Sequence, residues 1–139
     1  MRVMMIVKGD PEPGALPSEE LLAAMGTYNE ELAKAGVLLD LAGLHPTAEG
    51  KRVKFSGGKH TVVDGPFPES KEAIAGYWIL QVKSMDEAVE WAKRVPVDNA
   101  YGAESEIDIR QIFELDEFGD SPAIDRAREL EKELAKNKD

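Results

Sequence analysis

Apolar residues fall along this chain in two forms, short runs and spaced stripes, and each form predicts a different element. Residues 1–8 make a compact run of β-compatible side chains, which predicts a first strand buried on at least one face. Gly9-Asp10-Pro11-Glu12-Pro13-Gly14 breaks that run with two prolines and two glycines, so an irregular loop follows. From Ser18 the period changes. Leu21, Met25, Tyr28 and Leu32 recur at spacings of four, three and four, one stripe along a helix. Ser18 is placed as its N-cap, Glu19 and Glu20 suit the positive end of the helix dipole, and Gly36 suits the C′ position that ends it.

Residues 37–42 predict a second strand, apolar except for Asp40, and Gly43-Leu44-His45-Pro46 turns out of it. Two short strands then flank Gly57-Gly58, the signal of a two-residue hairpin loop. With that loop the register follows: Phe55 faces His60, Val53 faces Val62 and Lys51 faces Asp64. Residues 53, 55, 60 and 62 then share one face, which makes His60 a partly buried packing residue. The longest apolar run, residues 75–83, predicts a central strand with Tyr77 and Trp78 on opposite faces. Ser84 and Glu87 form a capping box for a helix carrying Ala88, Trp91, Ala92 and Val95, closed by Pro96. Residues 104–114 alternate, with Ile107, Ile109 and Phe113 on one face, a half-exposed strand. Residues 116–120 are an acidic linker. Ser121-Pro122 then opens a tail helix over residues 122–138, with a narrow stripe of Ile124, Ala127, Leu130 and Leu134.

The predicted order is β-α-β-(hairpin)-β-α-β-α. Removing the hairpin and the tail leaves βαββαβ, an α+β ferredoxin-like pattern. Both helices pack on one face of an antiparallel sheet, so the other face stays uncovered, and a second copy of the chain is the expected cover. Residues 1–115 are expected to form this domain, with 116–139 as an acidic linker and helical extension.

Composition narrows the possibilities. A chain of 139 residues with 42% apolar and 32% charged residues suits one globular domain. There is no cysteine, so disulfides, thiolate catalysis and Cys-based zinc sites are excluded. Two histidines are too few for a His-only metal site within one subunit, and no metal or other cofactor is expected. The net charge of −10 has the wrong sign for a nucleic-acid partner. The N-terminal apolar run is too short for a signal-peptide core or a membrane span, so no membrane association and a cytoplasmic location are expected. The acidic pairs Asp98-Asn99 and Asp116-Glu117 lack EF-hand spacing and read as solvated loops. Lys93-Arg94 suits a helix C-terminus without any ligand.

Candidate chemistry centres on Asp64-Gly65-Pro66-Phe67. Two prolines, Pro66 and Pro68, fix φ angles, Gly65 permits a close turn, Phe67 can anchor it, and Asp64 can accept backbone amides. That is a structural turn. The same Asp64 at a pocket mouth would be a base or a ligand anchor. His60 shares its strand but sits four residues away, roughly 13 Å at ~3.3 Å per residue, too far for a dyad. His45, on the loop before Pro46, is the better partner. Tyr28 and Trp78 are the further candidates for a ligand contact.

The opening MRVMMIVKGD, the segment LPSEELLAAMGTYNEELAKAGVLL and TVVDGPFPESKEAIAGYWILQV followed by MDEAVEWAKRVP together resemble the YCII-related family in its DGPF-domain branch, over roughly residues 1–115. The resemblance implies a dimeric α+β barrel, two ferredoxin-like subunits packed sheet to sheet, and a bacterial source. It implies no particular reaction, although fold relatives include small dimeric monooxygenases, lyases and isomerases with a cleft beside the barrel. For the shorter branch it implies a His–Asp proton-transfer pair with the His on the first helix. No histidine lies between Ser18 and Gly36 here, so that pair does not carry over. The expectation is a homodimeric small-molecule-binding protein of unassigned activity, with a cleft near the DGPF turn contacted by Gly65, Pro66, Phe67, Tyr28 and Trp78. One alternative is a cofactor-free lyase or isomerase with Asp64 as base and His45 as acid. A second is a regulatory protein associated with sigma-factor systems.

Overall fold

The computed structural model of the chain describes residues 1–69, 71–97 and 105–137. Ser70 of the DGPF segment, the Asp98-Asn99 pair, Glu104 at the expected start of the last strand and Lys138 at the expected end of the tail helix lie outside the described residues. Among those described, the elements are β1 (Arg2–Lys8), α1 (Glu19–Lys34), β2 (Leu38–Gly43), β3 (Lys51–Ser56), β4 (Lys59–Asp64), β5 (Ile74–Gln81), α2 (Met85–Lys93), β6 (Ile107–Gln111) and α3 (Pro122–Lys136). Four strands form one antiparallel sheet in the order β2-β5-β1-β6, and β3 and β4 form a second sheet of two. The larger sheet with α1 and α2 is the ferredoxin-like α+β fold.

Strand alternation assigns the two faces of the larger sheet. Val3, Met5 and Val7 of β1 join Trp78 and Leu80 of β5 in a cluster with Tyr28 and Leu32 of α1 and Ala88 of α2. Met5, Leu32, Leu80 and Val3 are the largest fully buried side chains, and burial of each is worth about 1.5–3 kcal/mol. Ile107 and Ile109 of β6 pack against the same cluster. Met4, Ile6, Tyr77 and Ile79 therefore point to the opposite face, which neither α1 nor α2 covers. The helix ends form as their caps require. Ser18 Oγ accepts the Leu21 N–H at 3.1 Å, and Gly36 follows the helix at φ 76°. Ser84 Oγ accepts the Glu87 N–H at 3.1 Å, while the Glu87 carboxylate reaches back one residue further than expected, to the Lys83 N–H at 2.8 Å.

The hairpin has the predicted register, with Phe55 opposite His60, Val53 opposite Val62 and Lys51 opposite Asp64. Gly57 and Gly58 make the turn at φ 57° and 77°, a region in which side chains with a Cβ are strained. The packing role expected for His60 does not hold in the protomer. Because β3 and β4 pair only with each other among the described residues, the face carrying His60 is exposed, and Phe55 beside it is 80% exposed.

Two further expectations change at the C-terminal end. The alternation over 104–114 becomes a strand only from Ile107 to Gln111, because Glu114 and Glu117 cap each other's backbone around a 3₁₀ turn, Leu115–Phe118. Phe113 leaves the strand and stacks on Phe118 at 4.9 Å. In α3, Ser121 Oγ caps the Ile124 N–H at 3.2 Å, and Ile124 and Ala127 are half-buried. Leu130 and Leu134, the rest of the predicted stripe, are 56% and 53% exposed.

Candidate functional site

The DGPF segment leaves β4 and folds across the loop that follows β2. The Gly65 N–H donates to Gly50 O at 3.0 Å, and the Gly65–Pro66 peptide is cis. A Cβ at Gly65 would stand 1.6 Å from Thr47 O, so backbone lies where any side chain would go. The Phe67 N–H donates to Thr47 Oγ1 at 3.2 Å. Thr47 is held in turn by Asp10, whose carboxylate accepts the Thr47 N–H at 2.8 Å and its hydroxyl at 2.6 Å. The Phe67 ring lies under the Arg52 guanidinium, 4.2 Å away, and Arg52 pairs with Glu69 at 3.0 Å. The Arg52 hydrogen bond is the main cause that pulls the Glu69 carboxyl below its ordinary pKa.

Asp64 itself stands apart from this network. Its carboxylate accepts from Lys51 Nζ at 2.6 Å, both side chains largely exposed, and it takes none of the amides of its own turn. The turn is anchored instead by Thr47 and Asp10.

Two clefts adjoin across Leu44, His45 and Pro46. The first, about 720 Å³, lies between the β1–α1 loop, the start of α1 and the end of β2. Its walls include Pro11, Leu16, Leu21, Leu44 and Ala75, and its polar side chains are His45 and Glu49. His45 Nδ1 stands 3.2 Å from Glu49 Oε2, four residues further along the chain, with the imidazole mostly exposed. The second cleft, about 530 Å³, is bounded by Phe67, Arg52, Thr47, Glu69, Glu72 and Ile74 besides the shared residues. The volume of the first falls in the range of small-molecule sites, roughly 300–1,000 Å³.

The predicted site residues thus separate into three groups. His45 lines both clefts and Phe67 the second, whereas Asp64, Gly65 and Pro66 line neither. His45 has Glu49 as its partner and Asp64 has Lys51, so the structure does not pair His45 with Asp64. Tyr28 and Trp78 meet each other in the core, edge to face at 5.6 Å, and line neither cleft. The Tyr28 hydroxyl donates to Trp91 O at 2.7 Å and Trp78 Nε1 donates to Asn29 Oδ1 at 2.8 Å. Burial pushes the Tyr28 phenol well above the ordinary tyrosine pKa, because its charged form would lose water there.

Asp10, Thr47, Glu49 and Arg52 were not singled out from the sequence. His45 and Glu49 meet across the 3₁₀ turn Thr47–Glu49, which no helical periodicity in the sequence announces. The Asp10–Thr47 contact spans 37 positions and leaves no periodic trace. Among the described residues no group of three or more His, Cys, Asp or Glu side chains is placed to hold a metal ion, and no helix is long and apolar enough to cross a membrane.

The antiparallel βαββαβ sheet, with one cleft between its first loop and the turn after its second strand and another between that turn and the DGPF segment, defines an α+β protein of ferredoxin-like fold. The sequence profile of the YCII-related domain matches residues 1–115, and the chain belongs to that family. It is also similar to an uncharacterized protein of Rhizobium meliloti (strain 1021), at 32% identity over 75 residues. That match takes in 54% of this chain and spans 60% of the length of the curated relative.

Proposed function

We propose that the chain is a homodimeric small-molecule-binding protein whose ligand sits in the cleft beside the loop that the DGPF turn braces. The observation that carries this reading is the first cleft itself, about 720 Å³, apolar in its walls, with one polar pair, His45 and Glu49. The DGPF residues serve it from behind: Phe67 holds Thr47, and Thr47 directly follows His45-Pro46 at the cleft wall. The separate partners of Asp64 and His45 weigh toward binding rather than proton transfer between those two groups.

The homodimer is argued from the uncovered sheet face. Met4, Tyr77 and Ile79 are half-buried there around an already buried Ile6, while the Arg2–Glu114 and Lys8–Asp108 pairs stand beside them. A second copy applying the same face would bury both, giving a two-fold interface of the α+β barrel type. The DGPF branch of the family is part of the same proposal, on the strength of Asp64-Gly65-Pro66-Phe67 and the strand that follows.

Leu44→Arg tests the binding reading, because it puts a charged chain into the wall shared by both clefts. Small apolar compounds that raise the melting temperature of the native protein should no longer do so for this variant. Stabilisation that survives Leu44→Arg would place the ligand elsewhere. Sedimentation separately tests the dimer: a species of 15.3 kDa at micromolar concentration would overturn it.

A further inference from the structure

We infer that the cleft selects apolar ligands carrying an amine over those carrying a carboxylate or phosphate, an inference that rests on the cleft being the binding site. The argument is the charge inventory of the wall. Its ionisable side chains are Glu49 and His45, and no lysine or arginine lines it among the described residues. Arg52, in the wall of the adjoining cleft, is already committed to Glu69 and stacked on Phe67. An anionic head would therefore meet the Glu49 carboxylate and no lysine or arginine among the described lining residues, which is unfavourable. The chain as a whole, at net charge −10, adds to that repulsion.

An ammonium head meets the opposite situation. Glu49 is half-exposed at the mouth, and His45 engages only its Oε2. Oε1 is open among the described residues and can accept a charge-assisted N–H bond. The apolar body of such a ligand would lie against Leu16, Leu21 and Leu44, which otherwise hold exposed surface; Leu16 is 88% and Leu44 46% exposed. A neutral hydroxyl head would bind with a single uncharged hydrogen bond and fall between the two.

The test uses phenethylamine, phenethyl alcohol and 3-phenylpropionate, equal in apolar body, titrated into the full chain by calorimetry at pH 7.5. The expected order of affinity is amine, alcohol, carboxylate. Glu49→Gln should weaken the amine about tenfold and leave the alcohol within about twofold, as loss of one charge-assisted contact predicts. Glu133→Gln, which removes the same charge from distant α3, should leave all three unchanged and so separates a local contact from the field of the whole chain. A carboxylate that binds as well as the amine overturns the charge inference. So does an amine indifferent to Glu49→Gln. If the alcohol binds and loses its affinity in Leu44→Arg, the cleft reading survives such a failure. If none of the three binds the native chain, both readings fall.

Discussion

Asp10 and Thr47 are joined by two hydrogen bonds to one carboxylate, the Thr47 N–H at 2.8 Å and its hydroxyl at 2.6 Å. With its proton committed to Asp10, the hydroxyl oxygen is free to accept the Phe67 N–H at 3.2 Å. One threonine thus ties the loop after β1 to the DGPF turn, and all of these contacts are at least partly buried. Thr47→Val keeps the branched shape and the N–H bond to Asp10 Oδ1 but removes the hydroxyl, leaving Asp10 Oδ2 and the Phe67 N–H without this partner. The expected cost is about 1–3 kcal/mol in urea unfolding. A loss below about 0.5 kcal/mol would show that Thr47 does not anchor the turn.

Asp64→Asn is expected to behave differently. The Asp64–Lys51 pair lies across the hairpin with side chains 77% and 68% exposed, so water and salt screen most of its attraction. Unfolding free energy should change by no more than about 0.5 kcal/mol. Measured beside Thr47→Val under identical conditions, the two variants rank the two possible anchors of the turn. An Asp64→Asn variant that loses more stability than Thr47→Val would reverse that ranking.

Elements with local causes were legible before the structure. Ser18, Gly36, Ser84 and Ser121 mark helix ends through contacts within a few residues, and Gly57-Gly58 sets the hairpin register because the turn type dictates which residues face. The βαββαβ order followed from the same local marks. What escaped was set at long range. An Asp before a turn commonly accepts the amides of that turn, yet here Thr47 fills the role from 20 positions away. The face that His60 shares with Val53, Phe55 and Val62 predicts packing for it from the sequence. Alternation identifies a face, however, and says nothing about whether another layer lies against it. Tyr28 and Trp78 carry polar tips that suit either a pocket or a core, and only the positions of Trp91 O and Asn29 show the core hydrogen bonds they make.

Acid should expose the contribution of the Arg2–Glu114 pair. Arg2 Nε donates to Glu114 Oε1 at 2.9 Å, and this hydrogen bond is the leading cause that holds the Glu114 carboxyl below its ordinary value of 4.5. The unfolded chain therefore takes up this proton first as pH falls. The pair's stabilisation is complete above about pH 4.5 and disappears as pH drops through the lower folded value. Glu69, lowered by Arg52, acts in the same direction. In thermal melts from pH 7 to pH 3, Glu114→Gln should start below the native protein and converge on it at the acid end. Curves that stay parallel over that range would mean that the pair adds nothing to stability through its charge.

The tail helix is expected to be an addition to a domain that folds without it. Residues 1–115 match the family profile, so α3 lies beyond that match. Its contacts run to the adjoining 3₁₀ turn, and Arg128 gathers Asp116, Asp120 and Asp125 around itself on the exposed side. Only Ile124 and Ala127 of its apolar stripe gain partial cover, worth about 1–2 kcal/mol together. A chain ending at Gly119 should keep its α+β circular dichroism and unfold cooperatively, with a midpoint lowered by roughly that amount. Leu130→Gln and Leu134→Gln in the full chain should change stability by less than about 0.5 kcal/mol if both side chains stay in water. Should the shortened chain fail to fold, α3 belongs to the core domain. Should it fold while the leucine variants lose several kcal/mol, those leucines are covered in the assembled protein, and the second copy is the cover to examine.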